Sequence, residues 1–121
     1  MNLRALFEHS DNIKEFPAGT TIFKEGTPGD EMYIILDGDV EVSVRNETLL
    51  VLGAGDIVGE MALIDLRARS ATAVAISDCR LVPLDEKRFL FMVQQTPFFS
   101  LHVMRVLAER LRHMDARQGS K

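Results

Sequence analysis

The chain has 121 residues, 46% hydrophobic and 26% charged, with a formal net charge of −4 at pH 7. That balance belongs to one folded globular core rather than a disordered or fibrous chain. It also excludes a general nucleic-acid or anionic-membrane surface, which needs an excess of Lys and Arg.

Cys79 is the single cysteine, so neither an internal disulfide nor a cysteine zinc site can form, which fits a reducing cytoplasm. The first segment, MNLRALFEHSDNIKE over residues 1–15, reads as helical. No apolar run anywhere approaches the roughly 20 residues of a membrane helix, and neither a signal peptide nor a span is expected.

Over residues 16–84 the pattern is β. The runs TIF, MYIIL, VEVSV and TLLVL are separated by EGTPGD, DGD, RNE and GAGD, many short strands punctuated by turn residues. The expected fold is mainly β with flanking helices, an antiparallel β jelly roll (double-stranded β-helix). Val40, Val42 and Val44 alternate with Glu41 and Ser43, the period of a strand with one buried face. Asn46-Glu47 is the expected turn into TLLVL. Gly26, Gly29, Gly38, Gly53 and Gly55 are read as turn positions needing positive φ rather than as ligand contacts.

The stretch GEMALIDLRARSATAVA, residues 59–75, breaks this pattern. EMALI reads as about one helical turn between strands, and a helix start offers unpaired N–H groups and partial positive charge to an anion. Gly59 lets the backbone come close. Glu60 places a carboxylate there, which can accept from a hydroxyl such as a ribose 2′-OH, and Arg69 offers the planar donor fork that suits phosphate. Ala62, Ser70, Ala71, Ala73 and Ala75 present a wall of small side chains. The spacing alone leaves two readings open: a sugar-phosphate cradle, or a surface ion pair between Glu60 and Arg69 worth at most about 1 kcal/mol.

After Leu84 the chain turns helical, with Asp85 as the expected N-cap of EKRFLFMVQQ and Thr96-Pro97 opening the last helix. On that helix Met104, Leu107, Leu111 and Met114 form an apolar stripe. It suits either packing back on the roll, the preferred reading, or a homodimer contact. Only the tail QGSK is expected to fray. His9, His102 and His113 fall in expected helices outside the roll, so no histidine metal triad of the cupin kind can assemble within it. Ser43, Ser70 and Ser77 have no histidine in their segments to act as base. No catalytic residue, metal or cofactor is expected, and the chain is not read as an enzyme.

These residues resemble a known family. GEMALIDLRARSATAVA is similar to the phosphate-binding cassette of cyclic nucleotide-binding domains, and the similarity extends to PAGTTIFKEGTPGDEMYIILDGDVEV, GAGDIVGE and LAERLR. The family includes the ligand-binding domains of catabolite-activator-type regulators, the regulatory subunits of cyclic-nucleotide-dependent kinases and cyclic-nucleotide-gated channels. The resemblance implies one domain over 1–121, with the cassette at 58–72 and hinge and lid helices at 85–117. It implies that Glu60 binds the ribose 2′-OH and Arg69 the cyclic phosphate. Gly59, Met61, Ala62, Ser70 and Ala71 would complete the cradle.

Arg105 and Arg112 on the last helix are candidates to cover the base by cation–π contact. Arg67 has no matching family role and is read as solvated. Ala68 stands where many members have proline, which implies a looser loop. The ligand expected is cAMP in preference to cGMP. The output is expected from an effector protein or a fused domain outside this chain, without nucleic-acid binding. The rival is a degenerate module of the same fold that binds no nucleotide and serves dimerisation or docking.

Overall fold

A computed structural model describes residues 1–65 and 67–119, the side chains of 114–119 excepted. The chain divides into a unit of residues 2–87 and a second unit that takes in Met1 and the chain from Arg88 onward.

The first unit opens with the short helix α1 (Leu3–Phe7), whose first turn is capped by Asn2 as its Oδ1 accepts from the Ala5 N–H at 3.1 Å. Eight strands follow: β1 (Lys14–Phe16), β2 (Thr21–Phe23), β3 (Glu31–Asp37), β4 (Val40–Val44), β5 (Glu47–Leu52), β6 (Ile57–Val58), β7 (Thr72–Ala75) and β8 (Cys79–Asp85). They form two antiparallel four-stranded sheets, ordered β1-β8-β3-β6 and β2-β7-β4-β5, which is the expected jelly roll. Strand pairs joined across the roll, not consecutive hairpins, make most of the order. Lys14 and Glu15, expected at the end of the helical segment, instead join Phe16 in a strand, because the three find partners in Leu81, Arg80 and Cys79. His9 accordingly lies in the turn after α1 rather than in a helix.

Side chains from both sheets meet in one core, in which Tyr33, Ile35, Val40, Leu52, Val58, Ala73, Ala75, Cys79 and Leu81 are buried, with Phe16, Phe23 and Val42 packed at its margin. Ala73 and Ala75 therefore fill the core and do not line a ligand wall. Their small size lets β7 pack tightly against the opposite sheet. β3 is buried from Met32 to Leu36, and Leu3 and Phe7 of α1, which packs on it, are buried too. Arg4 fastens the helix: its Nε donates to the Leu36 carbonyl at 3.0 Å, and Nη2 reaches Asp37 at 3.1 Å. Arg80 Nε donates to the other Asp37 oxygen at 2.7 Å. Held first by Arg80 and then by Arg4, the Asp37 carboxyl titrates below the usual range.

The β4–β5 hairpin turns one residue earlier than expected. Arg45 and Asn46 both take positive φ, 53° and 66°, and Glu47 pairs with Val44. A two-residue turn of this hand matches the twist of the flanking strands, so the strain at Arg45 is offset by the pairing it permits. The register then shifts between Val42 and Ser43. Of the five glycines read as positive-φ turns, Gly26, Gly38 and Gly55 are so, whereas Gly29 and Gly53 are not. Gly38 also leaves room for the buried thiol of Cys79, whose Sγ lies 3.3 Å from both the Asp39 and the Ser77 carbonyl oxygens, which share its one hydrogen. Burial pushes that thiol's pKa up.

The second unit consists of α3 (Glu86–Gln95), whose first turn contains the division, and α4 (Phe98–Gly119). Asp85, the expected cap, is the last residue of β8 and pairs with Glu31. Thr96 and Pro97 do precede the last helix, where the Phe99 N–H donates to the Thr96 carbonyl at 2.8 Å. The Phe89 and Phe99 rings meet at 5.5 Å. The expected apolar stripe is not the buried face of α4. Met104 and Leu111 are 57% and 61% exposed and Leu107 is half-buried, whereas Phe99 and Val103 are buried. The Met114 side chain lies outside the described residues. The helix continues through Gln118 to Gly119, past the point where fraying was expected, and Ser120 and Lys121 lie outside the described residues.

Candidate functional site

The strand β6 delivers the chain to Gly59, whose φ of +79° turns it sharply into the single helical turn α2 (Met61–Ile64). This is the one-turn helix expected for EMALI. Its first bonds run from the Ala62 N–H to the Gly59 carbonyl and from the Leu63 N–H to the Glu60 carbonyl. Glu60 occupies the N-cap position, but its carboxylate makes no capping bond. Its residue surface is only 5% exposed.

Downstream, the chain is stitched to the β2–β3 turn by two reciprocal backbone bonds, Gly26 N–H to the Arg69 carbonyl and Arg69 N–H to the Thr27 carbonyl, each 2.8 Å. These aim the Arg69 side chain inward, where it is 6% exposed. Nη1 donates to the Gly59 carbonyl at 3.1 Å and Nη2 to the Glu31 carbonyl at 2.7 Å. The face of the guanidinium lies over the Phe23 ring, with Cζ 4.2 Å from the centroid. Nε is buried without a hydrogen-bond partner. Among the described residues no carboxylate lies within ion-pair distance of Arg69. The surface ion pair with Glu60 that spacing alone allowed is therefore not what forms. Burial lowers the arginine's pKa, with Tyr33, Glu31 and Asp30 acting the other way, but a guanidinium stays charged in a protein.

Two glycines make room for this side chain. A Cβ at Gly29 would overlap Arg69, standing 2.5 Å from Cζ and 2.8 Å from Cδ. One at Gly59 would come within 2.7 Å of Nη1 and 3.0 Å of the Phe23 ring. Gly29 is thus required for close approach and not for its backbone conformation. A single sequence offers no signal that separates those reasons.

The remaining expected site residues are placed as follows. Ala62 is buried and Met61 exposed at the start of α2, Ser70 is exposed and Ala71 half-buried just after Arg69. Leu66, inside the cassette, lies outside the described residues. Arg67 is exposed and pairs with Asp65 at 3.3 Å. Arg105 and Arg112 are both exposed on α4. Phe23 is a site residue that sequence reasoning missed, since an aromatic in a strand reads as core. A buried cation and a buried carboxylate flanking one helical turn suit a ligand that is anionic at one end and a hydroxyl donor at the other.

The sequence model described as cyclic nucleotide-binding domain matches residues 13–96. The chain belongs to that family. A CRP-like cAMP-activated global transcriptional regulator of Mycobacterium tuberculosis is 38% identical over 103 residues, covering 81% of this chain and 46% of the relative. The Thermus thermophilus catabolite activator protein superposes with a TM-score of 0.79 at 32% identity, over 88% of this chain and 52% of that one. The EAL enzyme Bd1971 has been solved with cAMP bound and with cGMP bound. It is 37% identical in both forms, with TM-scores of 0.63 and 0.64, and the match covers 85% and 87% of this chain but 29% of that one. This cyclic nucleotide-binding domain spans about half the length of the curated regulator it matches. Among its described residues no helix is long and apolar enough to cross a membrane.

Proposed function

We propose that the domain is a cyclic nucleotide sensor in which Arg69 takes the cyclic phosphate and Glu60 the ribose 2′-OH. The observation that carries this reading is the buried guanidinium of Arg69, whose Nε has no hydrogen-bond partner and which forms no ion pair among the described residues. Burying a charge that no counter-ion contacts is costly, and an entering phosphate would meet it with charge-assisted bonds. The backbone at Gly59, Met61 and Ala62, with Ser70 and Ala71, would complete the cradle.

The ligand preferred in this reading is cAMP over cGMP. The name of the cAMP-activated regulator that the chain resembles favours it, although Bd1971 has been solved with either nucleotide. The bound state would close α4 over the base, with Arg105 and Arg112 as stacking groups one heptad apart. Such closure needs a ligand that binds the closed state more tightly than the open one. The output would come from an effector protein or a fused segment, in the cytoplasm and without chemistry in this domain. Calorimetric titration with cAMP and cGMP tests the core of the reading: saturable binding of either supports it, tighter binding of cAMP supports the preference, and no binding of either favours the degenerate interaction module.

A further inference from the structure

The Phe23 ring bears on Arg69 in a way the family assignment does not supply. The ring is half-buried at the margin of the core and stacks on Tyr33 at 6.3 Å and 16°. Tyr33 is braced in turn by the edge of Phe16 at 6.2 Å. The Tyr33 hydroxyl donates to Glu31 Oε1 at 2.7 Å, a group that also receives Lys14 Nζ at 3.3 Å. Glu31 is the residue whose carbonyl accepts from Arg69 Nη2. The guanidinium therefore rests on an aromatic stack fixed from behind. That a single Cβ at Gly59 would strike both Arg69 Nη1 and the Phe23 ring places the two groups together at the start of the cassette.

The geometry divides the two aspects of the guanidinium. Its donors lie in its plane, and two of them are committed to carbonyls while Nε is left over. Its face is taken by the ring. An aromatic face attracts a cation through its quadrupole without supplying a negative charge. A carboxylate in the same place would satisfy Arg69 more fully but would also repel a phosphate and cancel the charge that draws it. The ring steadies the cation and leaves that charge to act.

We infer that Phe23 is a positioning residue, whose ring face holds the Arg69 guanidinium in the orientation that presents its in-plane donors to an anion. The inference rests on the proposed role of Arg69 as the phosphate ligand and goes beyond it by assigning the residue that sets its pose.

The test replaces Phe23 by mono-, di- and trifluorinated phenylalanine, which keep the ring's shape while weakening its quadrupole, and measures cyclic AMP affinity by calorimetry. Affinity should fall in order of fluorination, with Phe23→Leu losing about tenfold and the thermal midpoint of the fluorinated proteins unchanged. In an Arg69→Ala background the same replacements should have no further effect on affinity. A flat fluorination series in protein whose binding depends on Arg69 overturns the inference and leaves the functional reading standing. So does a loss that persists undiminished in the Arg69→Ala background, since it would show a general structural effect. Failure of the unmodified protein to bind cyclic AMP or cyclic GMP overturns the functional reading first, and this inference with it.

Discussion

Gly29 and Arg69 share one volume: the space a Cβ at Gly29 would enter is occupied by the Nε, Cζ and Cδ atoms of the arginine. The backbone of Gly29 does not require glycine, since its φ is not in the left-handed region. Gly29→Ala should therefore leave the roll folded and displace the far end of a flexible side chain. We expect the thermal midpoint to stay within about 2 °C while cyclic AMP affinity falls about ten- to hundredfold, as for Arg69→Ala. Calorimetry and thermal denaturation of both variants check this. Full binding by Gly29→Ala would refute the shared-volume account.

Gly59→Ala should behave differently, because both the backbone and the space are restricted. At φ +79° an alanine costs about 1–2 kcal/mol, and its methyl would press on Arg69 and Phe23. Stability and affinity should fall together, measured on the same two axes.

Glu60 is predicted to report on the sugar. In the unmodified protein, 2′-deoxy-cAMP should bind about tenfold more weakly than cAMP, the loss of one charged hydrogen bond. In Glu60→Ala the two ligands should bind alike. A discrimination that survives the substitution would move the ribose contact elsewhere.

The hairpin turn offers a stabilising change. Arg45 and Asn46 both hold positive φ, where asparagine and glycine are the preferred pair. Replacing them as Arg45→Asn with Asn46→Gly should raise stability by about 1 kcal/mol, seen as a rise in thermal midpoint of about 4 °C. The Arg45 N–H that donates to Glu25 Oε1 at 3.0 Å is a backbone group and survives the change.

The clamp of Asp37 with Arg80 and Arg4 predicts an acid-sensitive increment of stability. The folded carboxyl titrates below its unfolded range, so its contribution is complete above the ordinary carboxylate pKa of about 4. It is lost as the pH falls through the lowered folded value. With 40% of the side chain exposed the increment is at most about 1 kcal/mol. Thermal midpoints of the parent and Asp37→Asn across the acid range should differ near neutrality and converge toward low pH. A constant difference would contradict the linkage.

The jelly roll and the one-turn helix of EMALI were legible in the sequence because each leaves a local mark: turn residues at short spacing, or a broken alternation. What was not legible depends on contacts between distant segments. Ala73 and Ala75 look like the small residues around the ligand until the opposite sheet closes over them. Gly29 looks like any turn glycine until an arginine forty positions on arrives beside it. Arg45 could not be chosen over Glu47 for the hairpin turn, because the pairing of Glu47 with Val44 outweighs the local preference against arginine at positive φ. The stripe through Met104 and Leu111 is periodic enough to be a buried face, but Phe99 and Val103 take that place.

The thiol of Cys79, sealed under Gly38, gives the protein a silent reporter. It should resist alkylation while the roll is closed and react only when β8 separates from its neighbours. The labelling rate of the unaltered chain then reads out how often the barrel breathes. A dye attached through a new surface cysteine would modify that site alone.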